Sequence, residues 1–235
     1  MACVLLFDVD GTLVNAAGAG RRSIERALAG HVGEMDGALA GLRLDGMTDR
    51  LIVREGLAAL GRPFDDALCD RVLETYLGLL RVEILTPAYR VLPGVPELLD
   101  GLRRRGVAMG LCTGNVAEGA RIKLRRGGLD TFFEWGPGAI CGFADDGEAR
   151  ERIVEAALRR ASARLGRPVT PAEALVIGDT PRDVEAARSA GVPVLAVATG
   201  RYGVEELAAC GADRVVPSLE GAEVASLLAG WPGPA

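Results

Sequence analysis

Hydrophobic positions along this chain fall into two regimes. Residues 3–7 (Cys3, Val4, Leu5, Leu6, Phe7) form an unbroken apolar run that ends at Asp8, Val9, Asp10, Gly11 and Thr12. Such a run, with no polar alternation, predicts a strand buried on both faces, the habit of a parallel sheet. From residue 16 to 88 the period becomes helical. One helix is predicted over 18–28, with Ile24, Ala27 and Leu28 inward and Arg21, Arg22 and Glu25 outward. A second covers 48–60, with Thr48 as its N-cap and Gly61, Arg62 and Pro63 as its stop. A third covers 65–84, while the glycine-rich stretch 30–46 carries no clear period.

After Val91 helices and strands alternate. The pattern predicts helices over 95–105, 116–126, 147–165 and 182–190, with a last one ending near 228. Between them lie strands at 107–112, 139–140, 174–177, 194–197 and 214–217, and the tail from Trp231 is expected to fray. Arg103, Arg104 and Arg105 precede Gly106, as a helix C-terminus prefers, so their position needs no anion-binding explanation. Alternation of this kind implies right-handed crossovers and an α/β, Rossmann-like parallel sheet with helices on both faces. The helical block interrupts that pattern just after the first strand. The expected organisation is a core of residues 1–15 and 90–235, with residues 16–89 as a small all-helical cap.

Composition narrows the function classes. The chain has 235 residues, 49% of them hydrophobic and 25% charged, enough for one large domain with an insert. A net charge of −5 argues against a general nucleic-acid or membrane-surface binder, so neither partner is expected. No basic, apolar leader follows Met1 and no apolar run reaches membrane-spanning length, which makes a cytoplasmic location the expectation. Cys3, Cys69, Cys112, Cys141 and Cys210 are scattered, odd in number and without a CxxC pair, and read as reduced thiols. His31 is the only histidine, which leaves no basis for an imidazole triad or a zinc site.

The candidate chemistry sits where strands end. Asp8 and Asp10 close the first strand, and a second acidic turn, Gly178, Asp179, Thr180, Pro181, Arg182 and Asp183, closes the strand at 174–177. Ligands of open parallel sheets lie outside the carboxyl ends of the strands. Each turn has a structural explanation of its own, since Asp and Thr begin turns and cap helices. Together, however, they bring three or four carboxylates to one mouth, where burial as bare anions is costly and a divalent cation relieves it. Oxygen-only ligands favour Mg2+. Thr113, Gly114 and Asn115, after the strand at 107–112, add a hydroxyl, an amide and backbone N–H groups at a helix start, a set that suits an anion.

The motifs DVDGT (Asp8 to Thr12), TGN (Thr113 to Asn115) and GDTPRD (Gly178 to Asp183), in that order, resemble the haloacid dehalogenase-like superfamily of phosphohydrolases, and within it the phosphoglycolate phosphatase-like branch. The likeness covers nearly the whole chain, including the place of the helical insert. It implies that Asp8 is the nucleophile and Asp10 the general acid and base. It implies Mg2+ held by Asp8, the main-chain carbonyl of Asp10 and Asp179, with Asp183 in or just behind that shell. Thr113, Gly114 and Asn115 would hold the phosphoryl oxygens. Members that displace halide lack the second aspartate, so Asp10 favours phosphoryl transfer to or from a small phosphorylated metabolite.

One family position departs from pattern. A lysine or arginine is expected near the start of the helix before the fourth strand, and residues 145–152 contain no lysine. Arg150 lies there, and Lys123, the only lysine in the chain, lies in the helix after Thr113. Lys123 is seven residues past Val116, roughly 10 Å along the axis, though helical side chains lean back toward the N-terminus. Arg150 and Lys123 therefore stand as two candidates for the phosphate cation, with a solvated surface lysine as the plain alternative for the second. Thr48 and Arg50, in the loop of the insert, are the candidates for substrate contact, and Arg21 and Arg22 are further options. A phosphomutase and a catalytically silent binding protein share these motifs and remain alternatives to the hydrolase. The sequence leaves monomer or homodimer undetermined.

Overall fold

In the computed structural model, which describes residues 4–33 and 41–231, β1 (Val4–Phe7) runs through the middle of a six-stranded sheet. The chain then leaves through β2 (Val14–Asn15) into α1 (Ala19–Val32), α2 (Asp49–Ala59) and α3 (Asp66–Glu83), and returns through β3 (Arg90–Val91). There follow α4 (Val95–Arg104), β4 (Ala108–Cys112), α5 (Ala117–Arg126), β5 (Cys141–Gly142) and α6 (Arg150–Leu165). The second half of the sheet comprises β6 (Ala174–Gly178), α7 (Pro181–Ser189), β7 (Val194–Val197), α8 (Val204–Ala209), β8 (Arg214–Val216) and α9 (Ala222–Ala229).

All six strands are parallel, in the order β5-β4-β1-β6-β7-β8. β1 pairs with β4 on one side and β6 on the other, Phe7 standing opposite both Leu111 and Ile177. The chain fills the sheet on one side of β1 and then crosses to the other, so the crevice beyond Phe7 is the topological switch point where such sheets bind ligands. Alternate residues of the strands feed two cores. Leu5, Phe7, Leu111, Leu175 and Ile177 pack with α4, α5 and α9, while Val4, Leu6, Cys112, Val176 and Val194 pack with α6 and α7.

Helices α1, α2 and α3 form a third apolar cluster around Ile24, Leu28, Val53, Leu57, Val72, Tyr76 and Leu80. Thr48 caps α2, its Oγ1 accepting from Leu51 N, and Asp65 caps α3 by accepting from Leu68 N. The insert is anchored where it leaves and rejoins the sheet, β2 pairing antiparallel to β3 through Val14–Val91 and Asn15–Arg90. Strands of two residues carry no detectable period, and neither was expected from the sequence.

Other departures from expectation are small. The third strand lies at Cys141–Gly142 rather than 139–140, and the next helix begins at Arg150 because a 3-10 turn occupies Ala144–Asp146. The helix Val204–Ala209 was not anticipated. Of the tail expected to fray, Trp231 is buried in the same core cluster as residues of α4 and α9, and residues 232–235 lie outside the described residues. Within the unreadable stretch 30–46, α1 continues to Val32 and residues 34–40 lie outside the described residues. Of the described cysteines, Cys69, Cys112 and Cys141 are buried free thiols and Cys210 is exposed. No helix among the described residues is long and apolar enough to cross a membrane.

Candidate active site

Asp8, at the end of β1, and Asp179, at the end of β6, lie side by side because their strands are neighbours in register. Asp183 joins them from the first turn of α7, and ligand oxygens of all three lie within 4.8 Å of one another, each residue buried. Among the described residues this is the one such group. The separate turns thus converge on one mouth, as the sequence suggested. Asp183 also does local structural work: its Oδ2 accepts from Thr180 N and Thr180 Oγ1, closing a capping box on α7.

The electrostatics of the cluster are unbalanced. Burial first, and the Asp183 carboxylate second, push the Asp8 carboxyl up to about 7 although Arg150 pulls the other way. Burial and the neighbouring Asp8 also hold Asp179 well above the usual carboxylate range. Among the described residues one arginine is the only cation in contact with them. The Arg150 guanidinium lies 3.4 Å from Asp8 Oδ1 and is paired with Asp183. Burial works against the charge of Arg150, but the two carboxylates outweigh it and its pKa is raised. Three buried carboxylates against one guanidinium, all of them oxygen donors, fit a hard divalent cation.

Room for Asp179 is made by glycine. A Cβ on Gly11, where φ is +83°, would lie 2.2 Å from Asp179 Oδ2, and one on Gly200 would lie 1.8 Å away. Thr12 Oγ1 donates to Asp179 Oδ1 at 3.1 Å, and Thr199 Oγ1 donates to Gly11 O at 2.6 Å. Thr199 and Gly200 lie one residue beyond the end of β7, much as Thr113 and Gly114 directly follow β4. That repeated Thr-Gly at a strand end is the signal that could have brought them into the candidate site.

Asp10 stands apart from the acidic group. Its Oδ2 accepts from Lys123 Nζ at 2.6 Å and from Asn115 Nδ2 at 2.8 Å. Its carboxylate is thus engaged outside the acidic group, and what Asp10 can offer a cation is its main-chain carbonyl, the atom the resemblance implies. Lys123 is not a solvated lysine: only 4% of it is exposed. Burial disfavours its charge, yet Asp10 and Asp49 outweigh burial and raise its pKa. Thr113 stands beside Asp8 and favours its charged form, and its Oγ1 accepts from Asn115 Nδ2 at 2.8 Å.

The N-terminus of α5 is less open than the sequence suggested. Asp49 Oδ2 accepts from Val116 N at 2.9 Å and Asp145 Oδ2 accepts from Ala117 N at 2.7 Å. Those two N–H groups are capped by carboxylates from other segments and cannot serve a phosphate.

The insert closes over this mouth through its loop. Asp49 N donates to Gly114 O at 2.7 Å, Arg150 Nη1 to Gly46 O at 3.0 Å, and Thr48 Oγ1 to Glu148 O at 3.0 Å. Between insert and sheet lies a cavity of about 450 Å³, lined by Asp8, Asp10, Thr113, Asn115, Lys123, Arg150 and Asp179 below and by Met47, Asp49 and Tyr76 above. Thr48 and Arg50 do not line it. Thr48 is the cap of α2, and Arg50 pairs with Asp66 and Asp70 on α3. The residues facing the cavity are thus one position out from those expected, Met47 and Asp49 instead of Thr48 and Arg50. Arg21 lines the cavity while paired with Glu25, and Arg22 is paired with Glu83 outside it. Burial pushes the Asp49 carboxyl up to about 6, and burial and Asp49 hold the Tyr76 hydroxyl well above its ordinary value.

Comparison with known proteins points the same way as this geometry. The model of the haloacid dehalogenase-like hydrolase family matches residues 4–191. A phosphoglycolate phosphatase of Rhodospirillum rubrum is 34% identical over 218 residues, 90% of this chain and 86% of the relative. One from Caulobacter vibrioides is 31% identical over 225 residues, covering 92% and 86%. Among solved structures, CbbY from Rhodobacter sphaeroides in complex with phosphate superimposes with a TM-score of 0.68 at 20% identity, over 97% of this chain and all of that one. A hydrolase from Pseudomonas syringae gives 0.65 at 24% identity, over 97% and 96%. At such identities these two establish the shared fold alone.

Proposed function

This chain belongs to the haloacid dehalogenase-like hydrolase family, and on that premise we propose that it is a Mg2+-dependent phosphomonoester hydrolase acting on a small phosphorylated metabolite, with phosphoglycolate the first candidate. The observation that carries the reading is the meeting of Asp8, Asp179 and Asp183 beside an open cavity. The similarity to phosphoglycolate phosphatases directs the choice of substrate. We further propose that residues 1–15 and 90–235 act as the catalytic core and residues 16–89 as its cap, supported by the separate apolar cluster of the three helices and the paired crossing at Val14–Val91.

The positions of these residues support the following roles. Asp8 attacks phosphorus, a P–O(Asp8) bond forms, and the ester P–O bond breaks. Asp10, entering as the acid, gives its proton to the departing alkoxide. A water then attacks the aspartyl-phosphate, Asp10 takes its proton, and Asp8 is released as a carboxylate with inorganic phosphate. Arg150, against Asp8 and Asp183, supplies the fixed positive charge for the phosphoryl oxygens. Thr113, Gly114 and Asn115 orient those oxygens from the other side. A bound Mg2+, held by Asp8, Asp179 and the Asp10 carbonyl with Asp183 behind, would screen the like charges of nucleophile and phosphate.

A phosphate-release screen over phosphoglycolate, sugar phosphates and nucleotides, with Mg2+ and with EDTA, tests the reading. Metal-dependent release that is lost in Asp8→Asn supports it. No release from any ester, or release that survives EDTA and Asp8→Asn, overturns it.

A further inference from the structure

Lys123 is buried at the foot of the cavity, and the network it belongs to has a direction. Its Nζ donates to Asp10 Oδ2 and to Asn115 Oδ1, both at 2.6 Å. Those bonds fix the Asn115 amide, whose Nδ2 must then face Asp10 Oδ2 and Thr113 Oγ1, each at 2.8 Å. Thr113 in turn stands beside Asp8 and favours its charged form. The nucleophile and the second aspartate are thereby joined by one chain of buried polar groups. Asp10 Oδ2 receives two donors, while Oδ1 of the same carboxylate has no hydrogen-bond partner among the described residues. The fit is close on the lysine side too: a Cβ on Gly20 would lie 3.2 Å from Nζ. The bulkier, planar head of arginine suits that slot poorly, in a chain that uses arginine at its 26 other basic positions (27 Lys+Arg less one Lys).

We infer that Lys123 is a positioning residue for Asp10, not a ligand of the substrate phosphate: with Asn115 it pins Asp10 Oδ2 and leaves Oδ1 aimed at the leaving-group oxygen. Arg150, which touches Asp8, holds the place of the phosphate cation. This inference rests on the proposed role of Asp10 as proton donor to the leaving group.

The test is a leaving-group series. kcat/KM is measured with Mg2+ for p-nitrophenyl phosphate, phenyl phosphate and an alkyl phosphate, using the wild type, Asp10→Asn and Lys123→Met. A leaving group that needs no proton is insensitive to a misplaced acid, whereas an alkoxide is not. Lys123→Met is expected to lose about 100-fold on the alkyl ester, the scale of a roughly 1 Å misplacement, and no more than about threefold on p-nitrophenyl phosphate. Inhibition by inorganic phosphate should be unchanged. Lys123→Gln, which keeps one hydrogen bond, should show the same selectivity in milder form and serves if Lys123→Met does not fold. An equal loss on every ester, or weakened inhibition by phosphate in step with activity, overturns the inference and makes Lys123 a phosphate ligand. If Asp10→Asn steepens the series and neither Lys123 variant does, the positioning role alone fails. If Asp10→Asn itself shows no leaving-group selectivity, the acid role of Asp10 fails and takes the inference with it.

Discussion

Arg150 and Asp8 stand 3.4 Å apart at the mouth of the sheet, the arginine also holding Asp183. Only 11% of the Arg150 side chain is exposed, so this cation is committed to the site and not to solvent. Arg150→Met is expected to lower kcat/KM by about 10² to 10³, the usual effect of removing one preorganised donor from a developing charge. Arg150→Lys should recover part of it, having the charge but not the fork that reaches Gly46 O and the carboxylates together. Steady-state kinetics on any ester found in the screen reads both. A loss below tenfold in Arg150→Met would remove Arg150 from the phosphate site.

The Asp179 carboxylate occupies space that a single methyl group would take. Gly200→Ala puts a Cβ where Asp179 Oδ2 now lies, and the side chain must rotate away. Calorimetric titration with Mg2+ should show at least tenfold weaker binding, in the range that disturbing the support of a metal ligand typically costs. Unchanged affinity would mean that Asp179 is not a ligand.

Metal and proton compete for the same oxygens. Without metal, burial raises the Asp8 carboxyl to about 7, above its unfolded value of 3.8. The unfolded chain releases that proton first, so the metal-free protein loses stability as pH rises from about 4 through 7. Mg2+ binds only the deprotonated form, and its stabilising effect grows over the same interval. Thermal melts with about 5 mM Mg2+ or EDTA should differ little at pH 5 and by several degrees at pH 8. An equal difference at both pH values contradicts this.

Asp49 offers a second pH signature, outside the metal cluster. Its carboxyl is raised to about 6 by burial, from 3.8. A raised carboxyl costs stability above its folded pKa and none below its unfolded one, so the penalty appears between about pH 4 and 6. Asp49→Asn keeps an oxygen to accept from Val116 N–H and carries no charge to bury. The variant should be more stable than the wild type at pH 7.5, by at most about 3 kcal/mol, and equal to it below pH 4. Denaturant titration at the two pH values decides it. Destabilisation at pH 7.5 would show that the attraction of the nearby Lys123 charge outweighs the cost of burial.

The parts of this site that were legible in the sequence are those set by strand ends. Asp8, Thr113 and Asp179 each follow an apolar run, and neighbouring parallel strands bring such ends together whatever lies between them. What was not legible depends on reach and register. Lys123 sits six residues into α5 (Ala117 to Lys123), about 9 Å along the axis, yet that rise locates its Cα and not its ammonium. The long side chain leans back to meet Asp10. At the loop of the insert the chain enters α2 from an extended Thr48, where successive side chains point to opposite sides. Met47 and Asp49, on either side of it, therefore face the cavity while Thr48 faces away, and Arg50, already within the helix, is turned outward by its pairs with Asp66 and Asp70 on α3. The antiparallel pair at Val14–Val91 is too short to leave any periodic trace.

The central claim is that Asp8 becomes phosphorylated in turnover. It is tested most directly by mixing the Mg2+-loaded protein with p-nitrophenyl phosphate, quenching with borohydride and mapping the peptide that contains Asp8 by mass spectrometry. An acyl phosphate at that position is reduced to homoserine, so the account predicts homoserine at position 8, dependent on substrate and Mg2+, with none at Asp10 or Asp179. Sustained phosphate release with Asp8 unmodified at every quench time, or the reduced residue at another aspartate, would contradict it.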